Sequence, residues 1–208
     1  MTGLRDRCPG RHYGGMTGRD NDVRRPSGLV TGSLIGLSFG TVFVMVNSGD
    51  LPDPWPTVIR AAAVVTAAAL LFWMFRVVRS AGSAAGSDDV QGFAHRAYWY
   101  AVVGEVIALF GGLYVINQVL DKPDVAVAWV ALVVGVHFAP LAWAWRMPFY
   151  YWLAALMAAL GLGGLLAYAA GASAGTVALI AGVGSGFALY GAVAAGLRYA
   201  QRRAASIV

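Results

Sequence analysis

Two ionisable residues fall inside apolar segments, where a bilayer would bury them. Glu105 lies in a segment spanning 97–120, and His137 in one spanning 125–145. At 1.5 Å per residue, Glu105 sits roughly 12 Å into its segment and His137 roughly 13–14 Å from Arg146, at the end of its own. The segments run in opposite directions, so both groups reach nearly the same depth. A carboxylate there is costly, which makes it a functional candidate. Beside an imidazole in a low dielectric it can share a proton or form an ion pair, chemistry that relays protons or binds a cation. The plain alternative is a buried pair that sets the register of two helices. Ser38 reaches a similar depth, about 15 Å from Gly28 by the same rise. Pro140 lacks an amide hydrogen, so the carbonyl of Val136 loses its helical partner and a turn beside His137 opens into a kink.

The elements that must position these residues follow from composition. The chain has 208 residues, 59% apolar and 12% charged. A soluble domain carries about 25% charged residues. The apolar residues form six runs of roughly 20, each long enough for a bilayer core. This composition excludes a soluble globular enzyme, a disordered chain and a disulfide scaffold. The fold class is all-α, a polytopic bundle of six transmembrane helices. The spans read 28–47, 56–78, 97–120, 125–145, 149–170 and 176–197, within a domain spanning 28–200. The loop 80–95 is rich in Gly, Ser and Ala and reads as a flexible cytoplasmic linker.

Orientation follows from the basic residues. The N-terminal tail has six Arg; Arg76, Arg79, Arg96, Arg146, Arg198, Arg202 and Arg203 bring that side to 13. The other side has Lys122, with Arg60 just inside the second span. The positive-inside rule therefore places both termini in the cytoplasm. With 14 Arg against one Lys and abundant Ala, Gly and Val, the composition resembles that of a GC-rich bacterial genome, so the expected location is the bacterial inner membrane. The net charge of +5 points to anionic lipid headgroups at the cytoplasmic face rather than to nucleic acid.

The two tails, 1–27 and 201–208, read as basic and cytoplasmic, the first disordered and without a signal-peptide core. Met1-Thr2-Gly3 recurs as Met16-Thr17-Gly18. A true start at Met16 and a chance repeat both remain open. Cys8 is the single cysteine, which excludes an intrachain disulfide and a thiolate cluster. With three His, at 12, 95 and 137, no ordinary zinc site and no cofactor are expected.

Small residues recur at helical spacing. Gly28, Gly32, Gly36 and Gly40 share one face of the first span, and Gly104, Ala108 and Gly112 one face of the third. In the sixth the series reads Gly184, Ala188, Ala192, Gly196. Such faces let helix backbones approach closely. They serve packing within the bundle, or else a homo-oligomer seam. Aromatic residues crowd the Arg-rich ends of spans three to five, and Trp55, Trp129 and Tyr168 mark the outer ends, as expected of interfacial belts. Arg60, Asn47 and Asn117 share the outer level, where they form an expected polar vestibule with Arg60 snorkelling or pairing with Asp50, Asp53 or Asp121.

Catalytic signatures are missing. No HExxH, P-loop or dinucleotide fingerprint occurs, and Val183-Gly184-Ser185-Gly186 has valine where an intramembrane serine protease motif requires glycine. The stretch Gly135-Val136-His137-Phe138-Ala139-Pro140-Leu141-Ala142, followed by Met147-Pro148-Phe149-Tyr150-Tyr151, resembles a motif of small six-helix bacterial membrane proteins of uncharacterised function. That pattern reads approximately GxHFxPLA, then a proline and paired aromatics opening the next helix. The resemblance implies the six-span fold and draws attention to His137. It implies no activity.

The leading functional expectation is binding or transport of a small molecule or ion at Glu105 and His137, with Ser38 nearby. A non-catalytic membrane subunit, assembling through its glycine faces, is the second. An intramembrane enzyme acting on a lipid or isoprenoid is the third and has the thinnest catalytic set.

Overall fold

In a bilayer core no water satisfies the backbone, so each crossing segment must bond its amides internally, which a helix does. The computed structural model describes residues 27–80, 96–145 and 148–205. Of these, 91% are helical and none lies in a strand. Helix α1 spans Ser27–Asn47 and α2 Trp55–Ser80. Helix α3 spans Arg96–Tyr114 and continues as a π-helical stretch, Val115–Val119. A 3-10 turn, Pro123–Val125, leads into α4, Ala126–Trp145, and α5 spans Pro148–Ala169. The last helix, α6, joins Ala174–Val177, a π-helical stretch Ala178–Val183, and Gly184–Ala205. All six are long and apolar enough to cross a membrane, which makes this a multi-pass membrane protein.

The ends are set by local chemistry. Pro148 opens α5 and Pro123 the 3-10 turn, where a missing amide hydrogen is no loss. Gly171 closes α5 at φ 85°, with the amides of Gly171 and Ala172 reaching back to Tyr168 and Ala167. That pairing is a Schellman cap, which favours glycine at this conformation. Ser173 then caps α6 by accepting from the Thr176 amide at 3.3 Å. The sixth helix outruns its expected end and continues to Ala205. The expected tail at 1–27 (up to residue 26) and the linker at 81–95 lie outside the described residues.

Packing is tightest where side chains are absent. A Cβ on Gly135 would collide with the backbone of Ala158, and one on Gly161 would come within 2.5 Å of the Leu132 nitrogen. Helices α4 and α5 therefore touch backbone to backbone. Helices α1 and α6 do the same: a Cβ on Gly40 would meet the Gly186 carbonyl at 3.0 Å, and one on Gly186 the Gly40 carbonyl at 2.7 Å. Helix α2 packs on α1 and α6 around Leu70, Met74, Val77 and Leu197. Helix α3 packs on α4 and leaves most of its surface outward.

Several glycine expectations change. Gly36 and Gly40 do pack, against Val193 and Tyr190 of α6, so this part of the α1 face is occupied within one chain. A Cβ on Gly32 would meet only the Tyr150 hydroxyl, at 3.8 Å, and the surroundings of Gly28 fall outside what is described. Gly112 packs on Trp129, whereas a Cβ on Gly104 would meet nothing within 4 Å; Gly104 is not a packing residue within this chain. Facing α1, the sixth helix uses Gly182 and Gly186; of the series from Gly184, a Cβ on Gly196 would meet Leu29 of α1, whereas one on Gly184 would meet Leu160 of α5.

Replacing Gly135 by leucine should force α4 and α5 apart. Overpacking of this kind costs on the order of 1–3 kcal/mol, so thermal unfolding in detergent should occur at a clearly lower temperature. Leucine at Gly111, whose Cβ would meet nothing within 4 Å, should leave unfolding unchanged. Equal effects at both positions would contradict the α4–α5 contact.

Candidate functional site: a carboxylate and an imidazole between α3 and α4

Two antiparallel helices with ionisable groups at one depth bring them together only if both groups face the shared seam. They do. Nδ1 of His137 lies 3.1 Å from Oε2 of Glu105, and the side chains are 12% and 19% exposed. The contact is an ion pair when the imidazole is protonated. It is not aligned as a hydrogen bond: Nδ1 is buried and has no hydrogen-bond partner. Coulombic attraction depends on distance and survives this misalignment, whereas a hydrogen bond depends steeply on angle. In this arrangement the proton-accepting capacity of Nδ1 is thus not engaged.

The seam around the pair is held by residues whose joint role the sequence does not announce. Trp129 of α4 donates its indole N–H to the Ala108 carbonyl of α3 at 3.1 Å. Gly112, one turn further along α3, leaves the space that the indole fills. Trp129, expected near the outer end of its span, lies three residues from the start of α4 and turns its ring onto α3. On the other side of α4, Phe138 stacks on Tyr150 of α5 with centroids 6.0 Å apart and planes 14° from parallel. Pro140 lies inside α4, and the helix runs on through it to Trp145.

Ser38 does not join the pair. It is exposed on α1, which packs mainly on α2 and α6, and it makes no hydrogen bond to Glu105 or His137. The outer polar residues also separate. Arg60 donates from Nε to the Ser48 hydroxyl at 2.9 Å and forms no ion pair with Asp50, Asp53 or Asp121. Asn47 and Asn117 each donate to a carbonyl of their own helix, those of Phe43 and Leu113, at 2.8 Å in both cases. Asn117 is part of the π stretch of α3, away from the Arg60–Ser48 contact that ties α2 to the end of α1.

Ser48, fully buried, is the functional-looking partner that sequence reasoning missed. Its signal was faint: a serine one residue past Asn47, at the level already assigned to Arg60. Thr41 and Tyr190, whose hydroxyls lie 2.8 Å apart across α1 and α6, had no signal in spacing at all. Among the described residues no group of three His, Cys, Asp or Glu could hold a metal. A shallow groove of about 430 Å³ is lined by Phe72, Trp73, Arg76 and Gln201. It belongs to α2 and α6 and is not part of the Glu105–His137 seam.

If the pair couples α3 to α4, the stability changes of Glu105→Gln and His137→Gln should not add. Directly interacting residues deviate from additivity by roughly 0.5–3 kcal/mol. Denaturation of both single variants and the double variant measures this, and additivity would mean that the two groups do not interact in the folded protein.

Comparison of the chain with protein-family models, curated proteins and solved structures finds no match, so the functional reading rests on the arrangement of these residues.

Proposed function

We propose that this protein binds a proton or small cation at Glu105 and His137 and carries it between the two sides of the membrane. The observation that carries the reading is an ionisable pair at 3.1 Å between two apolar spans. Ionisable groups in such places mark ion or proton pathways more often than scaffolding. Glu105 is the proton or cation site in this reading, and His137 is its electrostatic partner. Pro140 supplies a weak point in α4 beside the pair. Helix α3, held mainly by α4, is the element free to shift when the charge of the pair changes.

A specific observation favours a second reading, that of a membrane subunit assembling with itself or another protein. Gly104 and Gly111 lie on α3 seven residues apart with open space beyond both. Glycine weakens a helix by about 1 kcal/mol relative to alanine, and nothing among the described residues uses either position. Helices of a partner could. The resemblance of the stretch from Gly135 to an uncharacterised bacterial family fits either reading, and so does an inner-membrane location with both termini in the cytoplasm.

Proteoliposomes loaded with a pH-sensitive dye test the first reading. An imposed cation or proton gradient should drive flux through the wild type, and Glu105→Gln should abolish its pH dependence while the protein still folds. Unchanged flux in that variant would sink the reading. Orientation is checked through the single cysteine. In intact cells a membrane-impermeant maleimide should fail to label Cys8, whereas a cysteine placed at Gly49 should react. Labelling of Cys8 would reverse the topology.

A further inference from the structure

We propose that the groove between α2 and α6 binds the phosphate of an anionic phospholipid, independently of the Glu105–His137 pair. The groove opens where the shared core of the two helices stops. On α6, steps of four residues run Val193, Leu197, Gln201, the first two buried and the third exposed. An amide thus follows the last core leucine by one turn. On α2, Met74 and Val77 remain in the core, while Phe72, Trp73 and Arg76 line the groove with Gln201. Arg76 lies four residues from the end of α2 and Gln201 four from the end of α6, about 6 Å in each case at the helical rise. That is the depth at which a spanning helix leaves hydrocarbon for headgroups.

The chemistry of the lining fits a phosphodiester. A guanidinium presents five N–H donors in a planar fork that matches phosphate oxygens. Arg76 already engages a neighbour within the chain, and the fork has donors for more than one acceptor. The Gln201 amide adds two more. Charge favours an anion: Arg79, Arg198 and Arg202 are exposed at the same end, and neither α2 nor α6 contains an Asp or Glu. A phosphocholine headgroup would bring its ammonium against these arginines, whereas phosphatidylglycerol would not.

The apolar part of the lining selects a lipid over a free anion. Phe72 and Phe75 are 64% and 52% exposed on α2, on the hydrocarbon side of Arg76. They offer a surface along which an acyl chain can lie once the phosphate is seated. Inorganic phosphate gains nothing from them. Trp73 closes the groove with an indole at the level where such rings favour the interface.

Native mass spectrometry of the full chain, in micelles doped with phosphatidylglycerol or phosphatidylcholine, tests the site. One phosphatidylglycerol should remain bound under activation that strips the other lipids. Arg76→Gln should weaken its retention about tenfold, the scale of one charge-assisted hydrogen bond. Arg79→Gln, which keeps the groove lining intact, should retain the lipid as wild type does. Arg76→Lys keeps the charge but loses the fork, and should be several-fold weaker. If Arg76→Gln does not fold, this variant carries the test. Equal losses in Arg76→Gln and Arg79→Gln would mean diffuse attraction rather than a site. Equal retention of phosphatidylcholine, full retention in Arg76→Lys, or displacement by millimolar inorganic phosphate would each overturn the proposal.

Discussion

Apolar side chains gain little by leaving lipid for one another, so helices in a membrane are held by contact at close range. Here that contact is made where the backbone has no side chain to keep a neighbour away. Gly135 and Gly161 set α4 against α5, and Gly40 and Gly186 set α1 against α6. Gly164 then lets α5 meet Ala128 of α4 and Ala181 of α6, with Cβ separations of 2.9 Å if it carried a methyl group. These approaches join α1, α4, α5 and α6 into one tightly packed centre. Helices α2 and α3 are laid against it from outside.

Helix α2 is fastened at both ends. Arg60 reaches Ser48 at one end, and the apolar core with α6 runs to Val77 at the other. Helix α3 packs mainly on α4, with ties at Ala108 and Gly112, between the Glu105 level and the π stretch. Its Arg-rich half carries Glu105 and, on the outward side, Val103, Gly104 and Ile107. A membrane protein that buries a carboxylate against its least-held helix has joined its costliest group to its most weakly restrained element.

Six helices, their order and, except for the C-terminal end of α6, their limits to within a few residues were legible because length and hydropathy alone decide whether a segment spans. The equal depth of Glu105 and His137 was legible because adjacent antiparallel spans fix depth by simple counting; that the two side chains face each other was not. Counting fixes depth and not azimuth, and this is why Ser38, at the right depth, proved to be exposed on α1. The small-residue pattern of α6 was legible in kind, but its closest approaches to α1 fall at Gly182 and Gly186, outside the four-residue series from Gly184. Gly135 and Gly161 were missed for another reason. Small residues are abundant along both α4 and α5, so spacing alone does not single out the two that meet the partner backbone.

The stretch from Gly135 to Ala142 places two opposed functions on about two turns of α4. Gly135 faces α5 and fixes α4 to the rigid centre, while His137, two residues later, is rotated by about 200° on a helix of 3.6 residues per turn and faces α3. Phe138 adds a second tie to α5 through Tyr150. His137 is therefore held by a helix that cannot easily move, and Glu105 by one that can. When the pair gains or loses a proton, the change in attraction acts on both helices equally, but their restraints differ. The response falls on α3, the helix with fewer packing partners. The asymmetry comes from the packing, so it holds whether the charge that changes is a proton, a bound cation or a partner's side chain.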